Sequence, residues 1–220
     1  MLRSMMKKYI LRTALFFLLC GALSVQAADS TNSMTETIVC IRHGEKPHGG
    51  LGQLTVRGLN RSLALPKVLL GKYGKPQFIF APNPAETVDG TPGYYYIRPI
   101  ATIEPTAIEC GLPINTKFGY TEIKGLEDEL TKTNYAGATV FVAWEHGWLA
   151  HFARNFVQDN GGDPKSVPVW WDKEYDMIFV FKLTRVNGQK QFSFTVDHEG
   201  LNGLSDQMPQ AAEGRVAGGG

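Results

Sequence analysis

Cysteine is scarce in this chain, three in 220 residues. None of the three falls in a CxxC pair or a Cys/His cluster of zinc spacing, which excludes a disulfide-stapled miniature and a zinc-centred fold. A surplus of one charge is also missing: 22 Lys and Arg stand against 21 Asp and Glu. Four of those bases, Arg3, Lys7, Lys8 and Arg12, lie in an N-terminal stretch without an acid, so the rest of the chain is slightly acidic. A protein that gains its affinity by neutralising backbone phosphates needs a basic face, so nucleic acid is not an expected partner. There is no internal repeat and no heptad pattern. The remaining composition, 43% hydrophobic and 11% aromatic, suffices to bury a core in one domain.

The N-terminus has a basic start, one apolar run from Thr13 to Val25, and small residues before Asp29. The run falls short of the roughly 20 residues of a spanning helix. This is the pattern of a secretory signal, expected over residues 1–27 with cleavage near Ala27 or Ala28. The expectation is therefore a periplasmic or secreted chain with no stable membrane insertion after cleavage. Residues 28–204 are expected to form the domain, and 205–220, ending in three glycines, a flexible tail. Removal of the leader takes Cys20 with it and leaves Cys40 and Cys110, which are read as buried free thiols, with pairing left open. Oligomeric state is not legible.

Beyond the leader, short β-branched and aromatic runs alternate with segments of helical length. Glu36–Ile41, Gln77–Ala81, Ala138–Trp144 and Met177–Leu183 read as strands, and Leu54–Leu70, Ile100–Cys110 and Trp148–Gln158 as helices. The alternation predicts a three-layer α/β/α sandwich around a mostly parallel sheet. Asn187-Gly188, between Met177–Arg185 and Lys190–Val196, signals a hairpin, so the last strand is expected to be an antiparallel edge.

In such sheets ligands gather beyond the carboxyl ends of the strands. Arg42-His43 follow the first strand, Arg98 opens a helix after the second, and Glu145-His146 follow the Ala138 run. Two guanidinium groups and two imidazoles at one edge make a cradle for a dianion, and phosphate is the natural occupant.

Arg42-His43-Gly44-Glu45, at the end of the first strand, resembles the motif of the histidine phosphatase superfamily, the phosphoglycerate mutase-like fold. Three further stretches resemble that family in order: Gly52–Ala64, Arg98–Ala107 with its Arg-x-x-x-Thr-x-Glu-Pro pattern, and Val142–Gly147 around the second histidine. The resemblance implies that His43 is the nucleophile accepting phosphate and that Arg42, Arg98 and His146 form the phosphate pocket. It implies no metal and no cofactor, and a small-molecule phosphorylated substrate. A neutral imidazole is a competent nucleophile, and fixed cations can stabilise the transferring oxygens. The proton for the leaving group is expected from a carboxylic acid, with Glu122 and Glu145 as equal candidates, while Glu45 is the residue expected to hold the loop around His43.

The implied activity is hydrolysis of a phosphomonoester, with a phosphoglycerate-type mutase or a non-catalytic anion-binding envelope protein as alternatives. The chain departs from the family in the loop Ala81–Gly93 and in Tyr94-Tyr95-Tyr96 ahead of Arg98. The tyrosines, Tyr96 among them as a substrate-binding residue, either line a pocket mouth or pack the loop onto the body. Trp170–Asp176 carries the same two readings. His48 lies close to His43 and would make a metal site with His146 only given acidic or thiolate partners at matched geometry; His151 reads as a helix-face residue, and His198 has no evident partner.

Overall fold

A computed structural model of the chain describes residues 33–187 and 189–210. The expected leader, Cys20, Gly188 and residues 211–220 lie outside the described residues. Strand β1 (Ser33–Arg42) is central because its Ile38–Ile41 run is apolar on both faces and finds cover on both. Helix α1 (Val56–Tyr73) follows, capped at its start by Thr55, whose Oγ1 accepts from the Gly58 N–H at 3.1 Å. It stops at Gly74, whose φ of +73° suits glycine.

Then come β2 (Phe78–Phe80), the two-residue strands β3 (Thr87–Val88) and β4 (Tyr94–Tyr95), helix α2 (Arg98–Cys110), β5 (Ile114–Asn115) and helix α3 (Ile123–Leu130). β6 (Thr139–Trp144) leads into helix α4 (His146–Asp159), and β7 (Met177–Val186) and β8 (Gln189–His198) are the last strands among the described residues.

The main sheet has the order β5-β2-β6-β1-β7-β8. β5, β2, β6 and β1 run parallel, and β7 and β8 are antiparallel to their neighbours. The antiparallel edge is thus two strands wide. Val186 pairs with Gln189 across a two-residue turn in which Asn187 has φ +50°, the left-handed conformation that Asn tolerates.

Successive residues of β1 point to opposite faces. Ile38 and Cys40 join Leu126 and Leu130 of α3 and Phe152 and Phe156 of α4, whereas Val39 and Ile41 join Leu65 and Leu69 of α1 and Ile103 of α2. The result is the three-layer α/β/α sandwich, each buried aliphatic or aromatic side chain contributing ~1.5–3 kcal/mol over exposure. Cys40 and Cys110 are free and buried, on opposite faces.

The three longer helices lie within a few residues of their expected spans. α3, β5 and the β3–β4 pair carried no sequence signal. Eight residues containing a glycine and three acids make a weak helical pattern, and two-residue strands are set by their partners, β2 for β5 and each other for β3 and β4. Among the described residues, no helix is long and apolar enough to cross a membrane.

The register places the site. Arg42 pairs with Trp144, so β1 and β6 end level, and the ladder continues through the His43 N–H to the Trp144 carbonyl at 2.9 Å. His43 and Glu145-His146 therefore leave the sheet side by side.

Candidate functional site

His43 is 2% exposed and its Nδ1 lies 2.7 Å from the Gly44 carbonyl. A carbonyl accepts only, so Nδ1 carries the proton and Nε2 keeps its lone pair. Burial, with Arg98 and Arg42 nearby, pulls the ring's pKa down to about 3 despite the Gly44 hydrogen bond. The imidazole is neutral across the working range and one tautomer is imposed on it. Gly44 is itself fixed: its N–H donates to Thr102 Oγ1 at 2.9 Å, and that hydroxyl donates to the Arg98 carbonyl at 2.8 Å.

Both arginines are buried, at 0% and 3% exposure, and both are anchored by the same edge. Arg42 Nη1 donates to the carbonyls of Asp172 and Glu174, both at 2.8 Å, and of Trp171 at 3.3 Å, with its Cζ 3.9 Å above the Tyr175 ring. Arg98 Nη1 donates to the Gly50 carbonyl at 3.2 Å and to Asp89 Oδ2. Each Nη2 makes only a 3.4 Å contact, Arg42 with Asp172 and Arg98 with Asp89, longer than a charge-assisted bond prefers. Both Nε atoms are buried without a partner among the described residues. The Nε–Nη2 edge of each guanidinium is the fork that binds two oxygens of an anion.

Tyr96 completes this pocket. It is fully buried, edge-on to His43 at 6.0 Å between centroids, with Arg98 Cζ 4.9 Å over its ring and its hydroxyl without a partner among the described residues. Burial pushes the phenol well above its usual pKa, so it is a donor. Tyr94 and Tyr95 instead form β4 and are exposed, so the three consecutive tyrosines divide between pocket and surface.

Glu145 caps α4, its Oε2 accepting from the Trp148 N–H at 2.8 Å, and its Oε1 lies against Nδ1 of His146. Burial opposes its charge, but the His146 ring and the Gly147 and Trp148 N–H groups outweigh it and hold the carboxyl at about 2. His146 Nε2 faces Asp172 Oδ1 at 3.7 Å. Glu122 stands elsewhere: it is exposed, and its Oε2 accepts from the Gly119 N–H at 2.8 Å. The structure thus brings together Arg42, His43, Tyr96, Arg98, Glu145 and His146, and leaves Glu122 outside this group.

Sequence reading missed four supporting residues. Asp89 seats Arg98 and also accepts from the Gly52 N–H at 3.0 Å; burial opposes its charge, but these donors hold its carboxyl below the usual range. Asp172 faces Arg42 and His146. Thr102 links α2 to Gly44. Arg61, fully buried, chelates Glu45 at 2.8 and 3.0 Å and meets Glu199, tying the His43 loop to the chain after β8.

The segment Trp170–Asp176 fulfils both of its readings. Trp170 packs on Phe179 at 4.5 Å between centroids, and the backbone after it holds Arg42. His198 has a partner, Asp176 Oδ2 at 3.4 Å. Among the described residues no three His, Cys, Asp or Glu side chains gather as metal ligands.

No family model matches the chain. No curated protein matches it either. Solved structures do. The chain is similar to a protein named as the phosphohistidine phosphatase SixA from Nakamurella multipartitia, with TM-score 0.50 and 15% identity over 74% of this chain and 96% of that one. It is also similar to a phosphoserine phosphatase variant from Entamoeba histolytica in complex with phosphoserine, with TM-score 0.45 and 11% identity over 76% and 98% of the two chains. A SixA protein from Agrobacterium tumefaciens follows, with TM-score 0.37 and 9% identity over 73% and 97%. At these identities the first likeness establishes the fold, a phosphoglycerate mutase-like α/β/α sandwich.

Proposed function

We propose that the chain is a phosphatase of the histidine phosphatase type, hydrolysing a phosphorylated small molecule through phospho-His43. The observation that carries the reading is a neutral, buried imidazole with Nδ1 committed to a carbonyl, set between two arginines whose Nε atoms have no partner among the described residues. The fold shared with a chain named as a phosphohistidine phosphatase supports a phosphoryl substrate.

In the proposed first step His43 Nε2 attacks phosphorus, the bond from phosphorus to the leaving atom breaks, and its electron pair stays on that atom, which takes up a proton. In the second, water attacks the phosphoryl group and restores the imidazole. Arg42, Arg98, His146 and the Tyr96 hydroxyl hold the transferring oxygens and stabilise charge that grows in the transition state.

Of the two carboxylates considered as proton donor, Glu145 is the one we assign, because it leaves β6 level with His43 and lies against His146, whereas Glu122 is exposed and turned to the Gly119 N–H. It is ionised at rest. An entering phosphoryl dianion raises its proton affinity by like-charge repulsion, so the acid forms only with substrate in place. Turnover through these groups requires no metal ion, and the segment 1–27 directs export.

The test is hydrolysis of 4-nitrophenyl phosphate by the mature chain with a chelator present, alongside His43→Ala. Chelator-resistant turnover and an acid-labile phosphoryl-enzyme, both absent from the variant, are expected. Equal turnover in the variant overturns the role of His43, and transfer to a second alcohol faster than to water makes the enzyme a mutase. N-terminal sequencing of the exported protein checks cleavage near Ala27 or Ala28.

A further inference from the structure

Beside the arginine pocket lies an open cavity of about 690 Å3 lined by Lys46, His48, Gly49, Gly50, Asp89, Asp172, Lys173 and Tyr175, with Pro47 between the first two. Three of these side chains form its boundary with the pocket: Asp89 is seated on Arg98, Asp172 on Arg42, and the Tyr175 ring lies under Arg42 and 6.4 Å from His43 between centroids. A molecule in the cavity is therefore one side chain away from the nucleophile.

The charge of that cavity is uneven. Its two carboxylates face the two arginines, whereas Lys46 and Lys173 form no ion pair among the described residues and His48 is exposed. The lysines come from two segments that are themselves tied down. Lys46 and His48 ride on the loop in which Gly50 N–H donates to the Pro47 carbonyl at 2.9 Å and the Gly50 carbonyl accepts from Arg98. Lys173 lies in the segment whose carbonyls at 172 and 174 hold Arg42.

Resting on the phosphatase reading above, we infer that the substrate carries a second anionic group on its leaving-group side, held in this cavity by Lys46 and Lys173 with His48 beside them. A phosphoryl group entering the pocket takes the Nε–Nη2 edges of Arg42 and Arg98. Asp172, whose side chain is 73% exposed, turns into water at little cost, whereas Asp89 stays on Nη1 of Arg98. The leaving group then projects into the cavity, where two ammonium groups on anchored backbone offer hydrogen bonds to a phosphate or a carboxylate. An uncharged leaving group meets the same cavity without that attraction, so discrimination follows from charge rather than from shape.

Calorimetric binding of non-hydrolysable probes tests this without requiring turnover. Methylphosphonate reports the arginine pocket alone, methylenediphosphonate and propylene-1,3-diphosphonate add a second phosphonate at two reaches, and 3-phosphonopropionate adds a carboxylate. At least one two-anion probe is expected to bind about tenfold more tightly than methylphosphonate. That gain is expected to vanish in the Lys46→Gln/Lys173→Gln variant, whose affinity for methylphosphonate stays unchanged. A gain confined to the diphosphonates assigns the second group as a phosphate, and an equal gain with phosphonopropionate assigns any anion of that reach. Equal affinity for all four probes, or a gain that survives in the double variant, overturns the inference. Loss of 4-nitrophenyl phosphate turnover as a property of the wild-type chain would instead overturn the phosphatase reading, and the binding gain would still stand or fall separately.

Discussion

Three features converge on the ring of His43, the proposed nucleophile: burial that keeps it neutral, a carbonyl that fixes its tautomer, and two cations at its side. His43→Ala is expected to lower kcat by at least about a thousandfold, read by single-turnover kinetics, with the urea midpoint showing that the fold survives. The carboxylates separate by their surroundings. Glu145→Gln should lower kcat by about a hundredfold on alkyl phosphates and far less on 4-nitrophenyl phosphate, whose leaving group needs little protonation. Glu122→Gln, which alters an exposed side chain that accepts only from Gly119, should leave both rates within about twofold of wild type. A Glu122→Gln loss equal to that of Glu145→Gln would overturn the assignment.

At the scale of elements, the loop between β1 and α1 is held by close backbone approach. A Cβ on Gly58, at the start of α1, would meet the Glu45 carbonyl oxygen at 2.6 Å and the Glu45 nitrogen at 2.9 Å. These are backbone atoms, which cannot swing aside as a side chain can. Gly58→Ala should therefore cost about 1–3 kcal/mol of stability in urea titration and lower kcat as well, because the segment that moves carries His43. Thr102→Val makes a cleaner probe of α2. It leaves the shape but strips the Gly44 N–H of its acceptor, an expected cost of about 1–3 kcal/mol for a buried unpaired donor.

Across the whole molecule, pH dependence follows from groups that titrate differently once folded. His43 is depressed by burial from 6.5 to about 3, so unfolded chains bind its proton first and stability is lost as pH falls through that window, at about 1.4 kcal/mol per pH unit. Glu199, raised by burial to about 8 against the pull of Arg61, works in the opposite sense, its contribution being complete below 4.5 and lost as pH rises to 8. Glu36, raised by burial to about 7, adds to that alkaline loss. Between 4.5 and 6.5 the losses from Glu199 and Glu36 together outweigh the gain from His43, so stability is expected to peak near pH 4.5 and to decline on both sides. In Glu199→Gln the alkaline decline should shrink and the stretch between 4.5 and 6.5 should flatten, because only Glu36 then opposes His43, as followed by urea midpoints between pH 4 and 9. An unchanged profile would overturn the titration assigned to Glu199.

Alternating apolar runs and helical segments were enough to determine the sandwich, and the breaks after Ile41 and Trp144 placed Arg42, His43, Glu145 and His146 at strand ends, because these are local properties of the chain. Arg61 was legible in principle, a charge four and eight residues before Leu65 and Leu69 on the buried face of α1. Asp89 reads locally as a turn residue, Asp172 as a polar loop residue and Glu122 as a carboxylate at a plausible separation from Arg98. Only the tertiary structure decided that the first two face the arginines while Glu122 turns to the Gly119 N–H. Asp172 meets Arg42 across 130 residues, a pairing selected by burial and charge once the sheet has brought both segments to one edge, whereas Asp89 and Glu122 find partners 9 and 3 residues away, in loops whose path is set only by the folded chain around them.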